Sequence, residues 1–253
     1  NLYGAAAGLA LSGKIVCAST FAMFATGRAF EIIRNSIGYT RANVKICATH
    51  AGITVGEDGA SHQTFEDIAL MRTIPGMTVI NPSDGVSAKK LLEQAVAMEG
   101  PCYVRLGRAK VPVFYEDSDQ LTLGRGNLVR DGKDVTIVAT GIMVSEAMAA
   151  AEKLKEDGID ARIIDIHTIK PIDEEILIKA AQETGAIVTA EEHSIIGGLG
   201  SAVAEVIVKN CPVKMAMVGQ KDTYGESGKP DELKKKYGMT AEDIEAAVKK
   251  LIG

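Results

Sequence analysis

A chain of 253 residues, 46% hydrophobic and 24% charged, holds enough apolar side chain for one large α/β domain or two of about 100–150 residues, without disulfide staples. A net charge of −5 with no basic block argues against nucleic acid and an anionic membrane surface as partners. No run approaches the roughly 18 apolar residues of a membrane span and no secretory signal is visible, so a cytoplasmic location follows by default.

The chain opens on Asn1-Leu2-Tyr3 directly in helix-like sequence, which reads as a piece of a longer polypeptide. Residues 2–11 are small and apolar, with Gly13 as a helix stop. Strands are expected at 14–19, 44–49, 77–80 and 102–106, helices at 22–39, 64–72 and 85–98, and a Gly-rich loop at 50–63. Thr64 with Asp67 reads as a capping pair for the second of these helices. Residues 107–133 break the rhythm with Pro112, Gly124, Gly126, Gly132 and the acidic run Glu116-Asp117-Ser118-Asp119.

Strands then recur at 135–139, 161–166, 187–190 and 213–218, and helices at 143–156, 173–183, 199–209 and 241–252, the last capped by Thr240 and Asp243. This alternation of short apolar strands with helices predicts two doubly wound α/β domains with mostly parallel sheets. Their expected limits are 1–112 and 133–253, with a linker over 113–132. Cys17, Cys47, Cys102 and Cys211 form no CxxC pair, and buried free thiols are the expectation.

In such sheets ligands gather at the carboxyl ends of strands. The loop after the second strand reads His50-Ala51-Gly52-Ile53-Thr54-Val55-Gly56-Glu57-Asp58-Gly59-Ala60-Ser61-His62-Gln63. It holds two of the four histidines, two carboxylates and three glycines in fourteen positions. Glycine lets backbone approach a ligand, and histidine trades protons near neutral pH. A metal site on His50, Asp58 and His62 fits no standard spacing, so no metal is assigned to this chain. Gly197-Gly198-Leu199-Gly200 lacks the full dinucleotide pattern and reads as close helix packing.

The stretch Thr49 to Gln63 resembles the pyrimidine-domain motif of the transketolases in length and spacing. The flanks continue the resemblance: Ser19 to Phe24, Ala69 to Arg72, Pro75 to Val79, Gly100 to Arg105, and Thr189-Ala190-Glu191-Glu192-His193. It covers essentially the whole chain and is closest to the C-terminal subunit of the two-subunit form. It implies thiamine diphosphate with Mg²⁺, the metal and diphosphate being held by a separate N-terminal subunit, together with pairing of this chain with copies of itself. The implied reaction moves a two-carbon ketol unit between ketose and aldose phosphates.

By the resemblance, Phe24 stacks on the aminopyrimidine with Phe21 beside it, core packing being the alternative for both. His62 contacts the donor's hydroxyls near the reacting carbon, Asp58 the acceptor's hydroxyl, and His50 and Arg108 the sugar phosphate. Two positions depart from the pattern. Gly27 stands where the family often has a third aromatic, leaving the pocket more open or filled from elsewhere. The family's catalytic glutamate would fall two residues upstream of Asn1, so this polypeptide alone is expected to be inactive. Deoxyxylulose-phosphate synthase, the 2-oxoacid dehydrogenase β subunit and a non-catalytic assembly subunit are the alternatives; the Gly56 to Gln63 string and the length favour transketolase.

Overall fold

The computed structural model describes residues 1–253. The first half holds helix α1 (Leu2–Leu11), strand β1 (Val16–Ala18), a helical run in which α2 (Phe30–Ile32) lies between wide π-type turns at Met23–Arg28 and Ile33–Gly38, strand β2 (Val44–Ala48), helix α3 (Asp67–Thr73), strand β3 (Thr78–Ile80), helix α4 (Gly85–Ala97) and strand β4 (Cys102–Arg105). The second half continues with β5 (Asn127–Arg130), β6 (Val135–Ala139), α5 (Met143–Glu156), β7 (Ala161–Asp165), β8 (Thr168–Lys170), α6 (Glu174–Thr184), β9 (Ala186–Ser194), α7 (Leu199–Asn210), β10 (Lys214–Gln220), α8 (Pro230–Lys236) and α9 (Ala241–Ile252).

Two five-stranded sheets result, ordered β1-β2-β4-β3-β8 and β10-β9-β6-β7-β5. Within each, four strands run parallel and one edge strand, β8 or β5, runs antiparallel. The fold class is thus the doubly wound, mostly parallel α/β pair that the alternation predicts. Strand β6 is buried at all five positions, as a parallel strand covered by helices on both faces must be. Its counterpart β2 is interrupted by Lys45, which is also buried. The ammonium reaches the strand's end and donates to the carbonyls of Met98 (2.8 Å) and Gly100 (2.7 Å), so the charge is solvated by backbone.

Several local expectations need correction. Thr64 and Asp67 do not cap α3, whose cap residue Glu66 makes no side-chain bond to the helix. Asp67 is instead fully buried and paired to Arg105, because a carboxylate with a guanidinium partner gains more there than at an exposed helix end. At α9 the cap forms as read, with the Thr240 N–H donating to Asp243 Oδ2 at 2.9 Å. The four thiols are free, but only Cys102 is buried; Cys47 and Cys211 are half-buried and Cys17 is exposed, since β1 is an edge strand.

Three elements were not anticipated: β5, lying within residues read as linker, and β8 and α8. Strand β8 follows β7 of the second sheet but pairs with β3 of the first, Val79 opposite Lys170 and Ile80 opposite Thr168. The apolar interior follows the same path. One continuous cluster joins Ile46 and Met71 of the first half to Leu177, Leu199 and Val203 of the second.

Candidate functional site

Residues at the carboxyl ends of β1, β2 and β4 form the candidate site. After β1 the chain makes one further parallel bridge, Phe21 to Thr49, which sets Phe21 beside the residue preceding His50. His50 has φ 58°, a left-handed conformation uncommon outside glycine. The turn lays its imidazole flat on Phe21, with ring centroids 3.8 Å apart and an interplanar angle of 9°. Phe24, one helical turn on, lies nearly parallel to Phe21 at 6.2 Å. His62 stands edge-on to both rings, 5.2 Å from Phe24 and 6.1 Å from Phe21. All four rings are half-buried.

The position opposite Gly27 is occupied: a Cβ there would lie 2.5 Å from Met23 Cε, so the methionine's flexible end fills the space the missing aromatic leaves. Arg28 lies over Phe24, its Cζ 5.4 Å from the ring centroid. His50 covers Phe21 at 3.8 Å, whereas the guanidinium carbon of Arg28 stands 5.4 Å from Phe24, so Phe24 is the more open platform for an added planar ring. A half-buried aromatic ring flanked by imidazoles suits a heteroaromatic pyrimidine.

The polar groups are arranged around His50. Its Nδ1 lies 2.9 Å from Thr49 Oγ1. Burial first and the nearby Arg108 second hold its imidazole below the ordinary histidine range, and Asp58 opposes them. His50, Asp58 and Arg108 therefore share one electrostatic neighbourhood. Arg108 Nη1 donates to Glu57 Oε2 at 2.8 Å and to the Val55 carbonyl. Ser61 Oγ sits 2.9 Å from His62 Nδ1, which leaves His62 Nε2 without a partner in the chain.

The loop between these side chains turns at Gly52, Gly56 and Gly59, with φ of 83°, 79° and 75°, values that glycine adopts without strain. Beneath it lies a polar network that sequence reading missed. Arg105 Nε donates to Asp67 Oδ2 (2.7 Å), Tyr103 OH to the same oxygen (2.6 Å), and Arg105 Nη2 to the Glu192 carbonyl (2.8 Å). Burial alone would raise the Asp67 carboxyl; Arg105 and His193 outweigh it and hold it low. Burial raises Glu192, which Arg105 only partly offsets. Glu191 caps α7, accepting the N–H of Leu199 (2.6 Å) and Gly200 (2.8 Å). A Cβ at Gly198 would fall 2.0 Å from the Glu191 carboxylate, so this glycine is required by that capture, while Gly197 allows the close approach to α3, where a Cβ would lie 2.8 Å from Ala69 Cβ.

The Gly100 to Arg105 and Thr189 to His193 strings each carry members of the network, but spacing gives no reason to join them to each other or to Asp67. The missed helix α8 had a legible start, Pro230 followed by Asp231 and Glu232, with three lysines in its last turn. It packs beneath residues Ile53–Asp58, Gly56 lying against Pro230.

Comparison with known proteins agrees with this geometry. Residues 1–113 match the transketolase pyrimidine-binding domain and residues 124–244 the transketolase C-terminal domain. A solved structure described as a split gene transketolase, inactive beta4 tetramer, superposes with a TM-score of 0.95 at 54% identity, covering 100% of this chain and 81% of that one. The 6-deoxy-6-sulfo-D-fructose transketolase subunit SqwH of Clostridium sp. (strain MSTE9) is 46% identical over 244 residues, 96% of this chain and 76% of its own length. An apulose-4-phosphate transketolase subunit of Phocaeicola vulgatus is 42% identical over 242 residues, 95% of this chain and 77% of its own. With both domain types matched in order and the aromatic and polar groups gathered at one sheet edge, the chain belongs to the transketolase family.

Proposed function

We propose that this chain is the pyrimidine-side subunit of a two-subunit transketolase, moving a two-carbon ketol unit from a ketose phosphate to an aldose phosphate. An N-terminal subunit is the partner and holds Mg²⁺ and the diphosphate, and this chain pairs with further copies of itself in a cytoplasmic enzyme. The observation that carries this is the gathering of Phe21, Phe24, His50 and His62 with the charges of Asp58 and Arg108 at one sheet edge. Two relatives named as separate transketolase subunits support the division of labour.

Thiamine diphosphate, when bound, supplies the nucleophilic carbon and the electron sink for breaking and making the C–C bond. The chain's own residues bind and orient. Phe24 offers the stacking face, and Phe21, backed by His50, walls the pocket. His62, steadied through Nδ1 by Ser61, presents Nε2 to the donor's hydroxyls and can hold a proton there. Asp58 accepts from the acceptor's hydroxyl.

Arg108 engages the phosphate with His50. Its present partner Glu57 is exposed, and such a surface pair is weak, so an incoming dianion displaces it readily. In the assembled enzyme, His62→Ala is expected to lower kcat about 100-fold, the loss typical of a positioned proton-handling group, with little change in KM. Arg108 is 40% exposed, so Arg108→Ala should cost about 1–2 kcal/mol of binding, a roughly 5- to 30-fold rise in KM for phosphorylated acceptors. Plain aldoses should be turned over as before. Equal harm to phosphorylated and plain aldoses would show that Arg108 does not bind phosphate.

A further inference from the structure

The polar network beneath the loop has no part in the proposed reaction, yet it is hydrogen-bonded to the loop at one backbone amide. Glu192 Oε1 accepts the backbone N–H of Thr54 at 2.7 Å. The same carboxylate lies against Gly52, where a Cβ would come within 2.3–2.6 Å of its atoms. Glu192 belongs to β9 of the second sheet, while Gly52 and Thr54 belong to the loop after β2 of the first.

Its orientation is fixed from behind. Arg105 donates to the Glu192 carbonyl and lies 3.8 Å from carboxylate Oε2, while Asp67, itself bonded by Tyr103, holds Arg105. Glu192 is 3% exposed, so neither charge nor hydrogen bond is screened by water. The rest of the loop also rests on the second half. A Cβ at Gly59 would lie 2.5 Å from Ser227 Oγ, and Gln63 Nε2 donates to the Glu226 carbonyl at 3.0 Å. The loop thus has no backbone slack at its glycines, and Asp58 and His62 hang between anchored points.

We propose that Glu192 is a positioning residue: through the Thr54 amide it fixes the loop carrying Asp58 and His62, and bracing that loop is a task of the C-terminal domain. The consequence for substrate rests on the transketolase reading. Releasing the anchor leaves the loop correctly placed only a fraction of the time. Bound substrate restores it, so apparent affinity falls by that fraction while turnover at saturation is retained.

The test uses Glu192→Asp, which keeps the charge but withdraws it by one methylene, and Glu192→Gln, which keeps the reach but not the charge. Amide exchange of residues 52–63 is measured in the full chain with residues 135–139 of β6 as internal reference, and KM and kcat are measured in the enzyme assembled with its N-terminal subunit. In Glu192→Asp, exchange at the Thr54 amide should rise about tenfold or more, with the β6 amides unchanged. KM for a phosphorylated acceptor should rise by a similar factor and kcat by less than about threefold either way. Glu192→Gln should fall between this variant and the parent.

Unchanged exchange at 52–63, or acceleration shared equally by β6, overturns the proposal. A selective rise in exchange with KM unaltered upholds the brace and defeats instead the substrate role given to the loop.

Discussion

Replacing Arg105 with methionine is expected to destabilise the chain by about 3–5 kcal/mol, the range for removing one partner of a buried ion pair. The guanidinium is the only arginine or lysine paired with Asp67 and Glu192, and all three side chains are 4% exposed or less. His193 Nε2 lies 3.9 Å from Asp67 Oδ1, but burial lowers its pKa to about 4 and leaves it neutral at pH 7. Burial disfavours its charge, but Asp67 first and Glu192 second more than compensate and raise its pKa. Without it, two carboxylates remain in low dielectric, and Tyr103 alone still bonds Asp67. Urea unfolding at neutral pH measures the loss. The double change Arg105→Met with Asp67→Asn should cost clearly less than the sum of the singles, since one stranded charge goes with its partner. A single-variant loss under about 1 kcal/mol would mean that water reaches this network and screens it.

The opposite sign is expected at Asp165. This carboxyl is buried at the end of β7, and burial pushes it up from 3.8 to about 7, with Asp84 adding a smaller push. Ser83 Oγ and Tyr115 OH (3.1 Å) both donate to Oδ2, which lowers it somewhat, and Oδ1 has no partner. A proton on Oδ1 fits that pattern. Between pH 4 and 7 the unfolded chain has released this proton while the folded chain retains it. Its contribution to stability is therefore complete below about pH 4 and lost as pH rises through about 7.

Asp165→Asn keeps the acceptor and removes the titration. The variant should be more stable than the parent by about 2–4 kcal/mol at pH 8 and nearly equal at pH 4. The comparison must be between chains at one pH. Glu191, also raised to about 7, slopes the same way, while His167 and His193, lowered by burial to about 4, slope oppositely from pH 4 to 6.5. A stability difference that is constant from pH 4 to 8 would refute the assignment.

How far the sequence revealed these features depended on the length and locality of each signal. Strands β2, β4, β6, β7 and β9 stand out because three or four apolar residues cluster in each, between helical patterns and glycines. Strand β8 has three residues and its partner lies in the other half, so no local period marks it. The loop was visible because its histidines, carboxylates and glycines are contiguous, and the structure does set Phe21, Phe24, His50 and His62 together. That Met23 fills the space beside Gly27 was not visible, since it depends on a rotamer. The Asp67–Arg105–Glu192 network was invisible for a plainer reason: its members are 38 and 87 residues apart, and each passes singly for an ordinary helix or strand residue.

Strand β8 alters what severing the polypeptide would accomplish. A protease that cuts in the irregular stretch between β4 and β5, for example after exposed Lys110, divides the chain into pieces of 110 and 143 residues by number. The larger piece nevertheless supplies the edge strand of the smaller one's sheet and shares its apolar interior. Nicked protein should therefore migrate as one particle under native conditions and as two bands only after denaturation. The two halves resemble a clasp more than beads on a string: a gene split at this point would encode two products that must find each other before either could finish its sheet.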